Sequence, residues 1–290
     1  MENIKSADIV YFSGTGCTAR IADALADALK NYSVTANKYE INDNLGTKHK
    51  SNALILLFPV YSANAPAAVD DWVSALPYAD GKRAAVILVS GGGEMFFNTA
   101  SRVSVIKRLE EKKYDVFYEE MFVMPANCII AYDDLLCAML LRAIPKKAEK
   151  AAAEIMTGAP HRKKPYLIDR LISKVMVMEK RMSKSFGKRL NATNDCISCG
   201  ECASNCPRNN IAMHEGKPVF DGRCAMCLKC VYACPAKAIR AKSGKWFILK
   251  DGFDLNKIEE RTKHICDFPP AGDIAKGFLF KGVRKYLNDN

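Results

Sequence analysis

Eight of the chain's 12 cysteines fall between residues 196 and 234, in two copies of one spacing: Cys196-x2-Cys199-x2-Cys202-x3-Cys206-Pro207, then Cys224-x2-Cys227-x2-Cys230-x3-Cys234-Pro235. Three thiolates two residues apart wrap a tight loop around one face of an iron–sulfur cubane. The fourth, followed by Pro, leaves on a short helix and ligates the other cluster. By that rule one [4Fe–4S] cluster takes Cys196, Cys199, Cys202 and Cys234, and a second takes Cys224, Cys227, Cys230 and Cys206. A zinc ribbon uses two CxxC pairs and four ligands. Disulfide scaffolds belong to short secreted chains. Neither explains four thiols per run, the trailing Cys-Pro, or a repeat at a 28-residue offset. Cys17, Cys128, Cys137 and Cys266 are scattered singly and read as small buried apolar residues.

The first part of the chain alternates two periodicities. Residues 7–12, 34–41, 53–60, 83–90 and 116–124 read as strands; 53–60 (ALILLFPV) is nearly all apolar, as in a strand buried on both faces. Residues 18–30, 66–76, 96–112 and 133–156 read as helices, the second opening on Pro66. Five strands alternating with helices imply an α/β domain with a doubly wound parallel sheet, whose ligands sit at the carboxyl ends of the strands.

Three segments lie at such ends. Ser13, Gly14, Thr15, Gly16, Cys17 and Thr18 join the first strand to the first helix, with hydroxyls and glycine-freed N–H groups suited to a terminal phosphate. No Gly-Lys-Ser/Thr follows, so this is not a Walker loop. Arg20 and Ile21 stand where the third Gly of GxGxxG belongs, which favours a mononucleotide over a dinucleotide. Pro59, Val60, Tyr61, Ser62 and Ala63 form the second segment, an aromatic among small residues that can lie against a planar ring. Ser90, Gly91, Gly92, Gly93 and, further on, Phe97 form the third, where triple glycine permits close approach of backbone to a ligand.

The segment from Tyr11 to Thr18 resembles the FMN phosphate loop of flavodoxins, Phe58-Pro59-Val60-Tyr61 their second flavin loop, and residues 91–98 their third. The paired cysteine runs resemble bacterial two-cluster ferredoxins. Together they resemble the flavodoxin–ferredoxin fusion proteins of anaerobes. This resemblance implies a flavodoxin-like five-stranded domain, an α+β two-cluster ferredoxin-like domain, FMN and two [4Fe–4S] clusters. Met124-Pro125-Ala126-Asn127 also looks like a recurring element of such fusions. Cys17 departs from the pattern, standing where the flavodoxin loop usually has Asn. It reads either as a tolerated small residue or as a thiol whose pKa the helix N-terminus lowers. The expected division is 1–157 flavodoxin-like, 158–190 basic connector, 191–240 ferredoxin-like and 241–290 an extension packing on the domains. Residues 244–249 read as a strand leading into a helix near 255–265, packed on the ferredoxin module with Trp246 buried; His264 and Cys266 read as structural.

The chain's net charge of +11 is local. Residues 136–195 hold fourteen Lys and Arg against five Asp and Glu, leaving 29 against 27 elsewhere. Within them, residues 160–165 are a basic linker. Residues 166–190 follow as an amphipathic helix with Leu167, Leu171, Ile172, Val175, Met178, Met182 and Phe186 on one stripe. Three uses compete: a solvated basic face whose stripe packs on the two domains, a dock for an acidic redox protein of the ferredoxin or flavodoxin type, or a surface for anionic lipid or nucleic acid. No nucleic-acid motif supports the last, and nucleic acid is not expected as a partner.

No apolar run approaches the roughly 18–20 residues that span a bilayer, and the N-terminus lacks a signal-peptide layout. A cytoplasmic protein without stable membrane insertion is expected. The leading functional expectation is an electron relay between one-electron carriers, the clusters and FMN. The alternatives are an FMN-dependent reductase of a small organic substrate, with Tyr61, Glu94 or Tyr132 as proton donor, and a redox sensor. No room is left for a second nucleotide-binding domain of normal size, which disfavours direct use of NAD(P)H.

Overall fold

The computed structural model describes residues 4–48, 50–95, 97–176 and 179–289, without the side chains of 179–181. The first domain runs β1 (Ser6–Tyr11), α1 (Cys17–Lys30), β2 (Thr35–Glu40), β3 (Ala53–Pro59), α2 (Ala67–Ala75), β4 (Arg83–Ser90), α3 (Val103–Glu111), β5 (Asp115–Val123) and α4 (Asp134–Thr157). All strand pairs are parallel, in the order β2-β1-β3-β4-β5. This is the flavodoxin-like order, with its switch point between β1 and β3. The apolar β3 and β4 are central and buried on both faces, whereas β2 closes an edge with exposed polar residues. Ile21, Leu25 and Leu29 of α1 and Ile144, Ala148 and Ala152 of α4 cover one face. Val69, Trp72 and Val73 of α2 and Val105, Ile106 and Leu109 of α3 cover the other.

The helix expected over 96–112 begins only at Val103, and Phe96 lies outside the described residues. Phe97 has φ 65°, which a right-handed helix cannot contain, and a buried carboxylate from the connector holds its N–H.

The basic linker is consumed inside the molecule. His161 exchanges backbone hydrogen bonds with β5: its N–H donates to Phe117 (2.8 Å) and its carbonyl accepts from Glu119 (2.9 Å). Arg162 pairs with Glu119 and Glu110, and Lys163 with Glu120 at 2.5 Å. The strap therefore covers the second sheet edge and matches its charge.

The connector helix appears as α5 (Leu167–Met176) and α6 (Glu179–Lys188); Met178 lies outside the described residues. Its apolar stripe does not pack on the domains. Leu167, Leu171, Val175 and Met182 are exposed, Ile172 is half-buried, and of the described stripe only Phe186 is buried. The polar face of α5 docks instead. Asp169 is fully buried and accepts from the N–H groups of Phe97 (2.9 Å) and Thr99 (3.2 Å) and from the Thr99 hydroxyl. Ser173 donates to the Asn64 side chain at 2.7 Å, and its carbonyl accepts from Asn64 at 3.1 Å.

The second unit contains β6 (Leu190–Ala192), α7 (Glu201–Ser204), β7 (Ile211–His214), β8 (Lys217–Phe220), α8 (Lys229–Tyr232) and β9 (Ile239–Ala241). Antiparallel pairs β6–β9 and β7–β8 give a small α+β unit. The tail adds a 3-10 turn at Lys245–Phe247, α9 (Leu255–Thr262), α10 (Ala271–Ile274), a second 3-10 turn at Phe278–Phe280 and α11 (Lys281–Asn288).

Here the sequence expectations need correction. Residues 245–247 are a turn rather than part of a strand, with Trp246 71% exposed and edge-on to Phe247. The tail also packs mainly on the first domain: Phe253, Leu255 and Ile258 join its core beside α1 and α4, while Ala275 and Val283 pack with Val123, Leu136 and Leu140. The cause is the i, i+3 apolar pair Leu255 and Ile258, which fits the seam between those helices. His264 and Cys266 lie beyond α9, and both are exposed rather than buried structural residues.

Candidate cofactor sites

The eight clustered cysteines converge on two cavities. Cys196, Cys199, Cys202 and Cys234 line one, with Ile197, Met213 and Ile239. Cys206, Cys224, Cys227 and Cys230 line the other, with Phe186, Leu190 and Leu228. Each cavity thus draws three thiols from one run and its fourth from the other. The loops turn this tightly because Ser198, Met226 and Leu228 sit at φ 58°, 55° and 61°, and Gly200 at 75°.

Backbone N–H groups aim at the sulfurs: Met226 at Cys224 (3.2 Å), Ala238 at Cys234 (3.3 Å) and Asn210 at Cys206 (3.4 Å). Burial pushes the free thiols up, Cys224 to about 11, Cys227 to about 12, and Cys202 and Cys230 upward as well. A buried lone thiolate is costly, so four inward-facing thiols with N–H donors fit a cationic iron core that compensates their charge.

The two cavities differ in setting. The outer one opens beside exposed Cys199 and Ile197, the latter 65% exposed. The inner one is pressed between α6 and the switch-point end of the sheet. A Cβ on Gly14 would lie 2.9 Å from the Cβ of Cys227 and closer still to its carbonyl oxygen. One on Gly187 of α6 would collide likewise with Cys224. The docking is fastened by Arg208 to Asp43 (3.1 Å) and Asp71 (2.7 Å), and by Lys229 to Glu40 (3.0 Å). Tyr232 also donates to the Asn127 carbonyl at 2.8 Å.

At the switch point, Gly16 (φ 94°) caps α1 without a side-chain bond, and the first turn of that helix has no acidic residue. Ser13 accepts from the Ala19 N–H at 3.3 Å, and Thr15 accepts from the Asn127 amide at 2.7 Å. With Thr18 in the same turn, this donor set fits a phosphate at a helix N-terminus. In the second loop, which follows Pro59 and Val60, Tyr61 and Asn64 exchange backbone hydrogen bonds (2.8 and 2.9 Å) around Ser62 and Ala63, both at positive φ. Tyr61 lies edge-on to Phe12 at 6.5 Å.

In the third loop, Ser90 accepts from the Gly93 N–H at 2.7 Å and Tyr132 donates to the Gly91 carbonyl at 2.7 Å. Gly93 lies against Gly282 of α11, where an added Cβ would sit 3.0 Å from the Gly93 carbonyl carbon. The close approach that the sequence assigned to a ligand is thus made at Gly93 by the tail, and at Gly14 by the cysteine domain.

Cys17 is partly buried beside the Pro125 carbonyl (3.8 Å), and burial pushes its thiol up to about 12. This corrects the reading of a lowered pKa. Cys128 and Cys137 are raised for the same reason, to about 11 and about 12. Sequence reasoning missed Asp169, Gly187 and Tyr232 and gave Asn127 no role. Of these, only the Gly187 position after Phe186 offered a signal, as a glycine inside a helical stripe.

Residues 195–238 match the family described as the 4Fe-4S dicluster domain. The chain is 30% identical over 102 residues to NADH-quinone oxidoreductase subunit I of Pelobacter propionicus, covering 30% of this chain and 53% of that one. It is 32% identical over 95 residues to the polyferredoxin protein MvhB of Methanothermus fervidus, covering 33% of this chain and 21% of that one. The chain therefore spans about half, and about a fifth, of these relatives. Similar solved structures include oxidised flavodoxin 1 from Bacillus cereus (16% identity, TM-score 0.39, 52% of this chain and 97% of that one). A flavodoxin from the domain Archaea is another (12%, TM-score 0.36, 52% and 98%).

Proposed function

Because the chain joins a flavodoxin-like α/β domain to a 4Fe-4S dicluster domain, we propose that it is an electron-transfer iron–sulfur flavoprotein carrying two [4Fe–4S] clusters and FMN. When bound, such clusters exchange single electrons and a flavin exchanges one or two, so together they supply conversion between one- and two-electron steps.

One observation carries this reading: Cys227, in the inner thiol set, is packed directly on Gly14 of the phosphate-type loop. The loop's own residues would then hold FMN, with Ser13, Thr15, Gly16 and Thr18 at the phosphate, Tyr61 with its flanking residues at the ring, and Ser90, Gly91, Gly92 and Phe97 at the ring edge. The inner thiols would hold the cluster adjoining them, and the outer thiols the cluster nearest solvent. N–H donors to Cys206, Cys224 and Cys234 stabilise the anionic sulfurs and so tune what these sites hold.

The exchanging partner proposed is an acidic one-electron carrier, supported by the basic excess of residues 136–195, fourteen Lys and Arg against five Asp and Glu. Eight free thiol ligands support a reducing, cytoplasmic compartment. Among the described residues no helix is long and apolar enough to cross a membrane. Among the described residues, two of the three candidate proton donors for a small-substrate reductase are already engaged. Tyr132 is committed to the Gly91 carbonyl, and burial raises its pKa; Glu94 is paired with Arg102.

The test is anaerobic purification with metal and flavin analysis and a visible spectrum. About eight irons per chain, from the two-cluster pattern, together with FMN are expected. Zinc, or iron without flavin, overturns the proposal. Stopped-flow mixing with reduced ferredoxin, with and without organic acceptors, separates the readings further. Reoxidation by protein carriers alone is expected.

A further inference from the structure

Helix α5 is docked the wrong way round for a soluble protein. Its polar residues face inward: Asp169 is fully buried on the 97–99 backbone and Ser173 is bonded to Asn64. Its aliphatic residues face outward, with Leu167 82%, Ile168 55%, Leu171 63% and Val175 66% exposed. At 100° per residue these four fall within one 100° arc, opposite Asp169 and Ser173. Tyr166 at 61% extends the ridge, and exposed Lys164, Arg170 and Lys174 flank it.

An amphipathic helix that has only lost its partner domain would be free to roll its apolar side inward. This one is held by directed hydrogen bonds to a buried carboxylate, so the exposed apolar face is fixed in place.

The geometry points to the surface of an anionic lipid bilayer as the occupant: we propose that α5 lies in the headgroup region, its aliphatic ridge among the acyl chains and its flanking cations on lipid phosphates. Charge complementarity selects this occupant. A second copy would set the exposed cations of one ridge, Lys164, Arg170 and Lys174, against those of the other. A folded protein partner would have to supply a groove matched to a ridge that stands proud of the surface. A fluid bilayer conforms to it, as to other interfacial helices with large aliphatic and basic faces. This is peripheral attachment, consistent with the lack of a spanning helix among the described residues.

The experiment is anaerobic flotation of the holoprotein with vesicles of phosphatidylcholine alone and of phosphatidylcholine mixed with phosphatidylglycerol, whose anionic headgroups attract basic segments. Co-flotation with the anionic vesicles only, weakened by salt, is expected. Leu171→Glu/Val175→Glu removes the ridge, and Arg170→Glu/Lys174→Glu reverses the flank. Each is expected to cut the bound fraction about tenfold or more, with the cysteine–iron absorbance and circular dichroism unchanged.

Absence of flotation overturns the proposal, as does flotation indifferent to both variants. Light scattering that finds a dimer abolished by the first variant overturns it in favour of a second copy. Loss of complex formation with an acidic ferredoxin in both variants, without vesicle binding by the parent, overturns it in favour of a protein partner.

Discussion

Gly14 shows how one residue can be fixed by two demands at once. A phosphate-type loop favours glycine for its free backbone, yet here the Cβ position is taken by Cys227 of the other domain. Gly14→Ala is expected to destabilise the chain by about 1–3 kcal/mol, as overpacking of a tight site does, and to lower iron retention. Gly46→Ala, where nothing lies within 4 Å, is the control. Melting curves and iron content for the pair check this. Asp169 makes the converse case: Asp169→Ala removes the carboxylate acceptor from the N–H groups of buried Thr99 and partly buried Phe97. A loss of about 1–3 kcal/mol per group is expected in urea unfolding. The eight cysteines were legible in the sequence because their spacing is local. Asp169 was not, because one acidic residue on a helix looks the same whether solvent or a loop 70 residues away receives it.

At the scale of elements, the strand–helix alternation was legible to within a residue or two, apart from the late start of α3 at Val103, because β3 and β4 are continuously apolar and α1 is strongly amphipathic. The connector defeated that logic, since a periodic stripe says which residues share a face but not which face is buried. Its strap makes a pH-dependent contribution. Burial raises the Glu120 pKa, but the charge and hydrogen bond of Lys163 more than offset this and hold it below its usual 4.5. A depressed carboxylate stabilises fully above its unfolded value and loses that contribution as pH falls through the folded one. Lys163→Met is therefore expected to lower stability at pH 7, with the deficit shrinking as pH falls below the usual carboxylate range, where parent and variant converge. Urea midpoints across that range check it.

For the whole molecule, the first domain is completed by the last forty residues, which sequence reasoning had assigned to the other module. Apolar pairs as short as Leu255 and Ile258 carry no address, and only the assembled α1–α4 seam selects them. Leu255→Ala is expected to cost about 2–4 kcal/mol. It is also expected to speed proteolysis within residues 1–157 rather than within the cysteine unit, which limited digestion with mass mapping reads directly.

That arrangement has a consequence for biosynthesis. Residues 253–258 and 275–283 belong to the core that residues 4–155 begin, yet a ribosome makes them after both cysteine runs. At about 5–20 residues per second, the α/β domain waits several seconds for its final wall after the last cysteine has emerged. During that interval the third loop at Gly93 and the seam beside α1 stay uncovered by the tail.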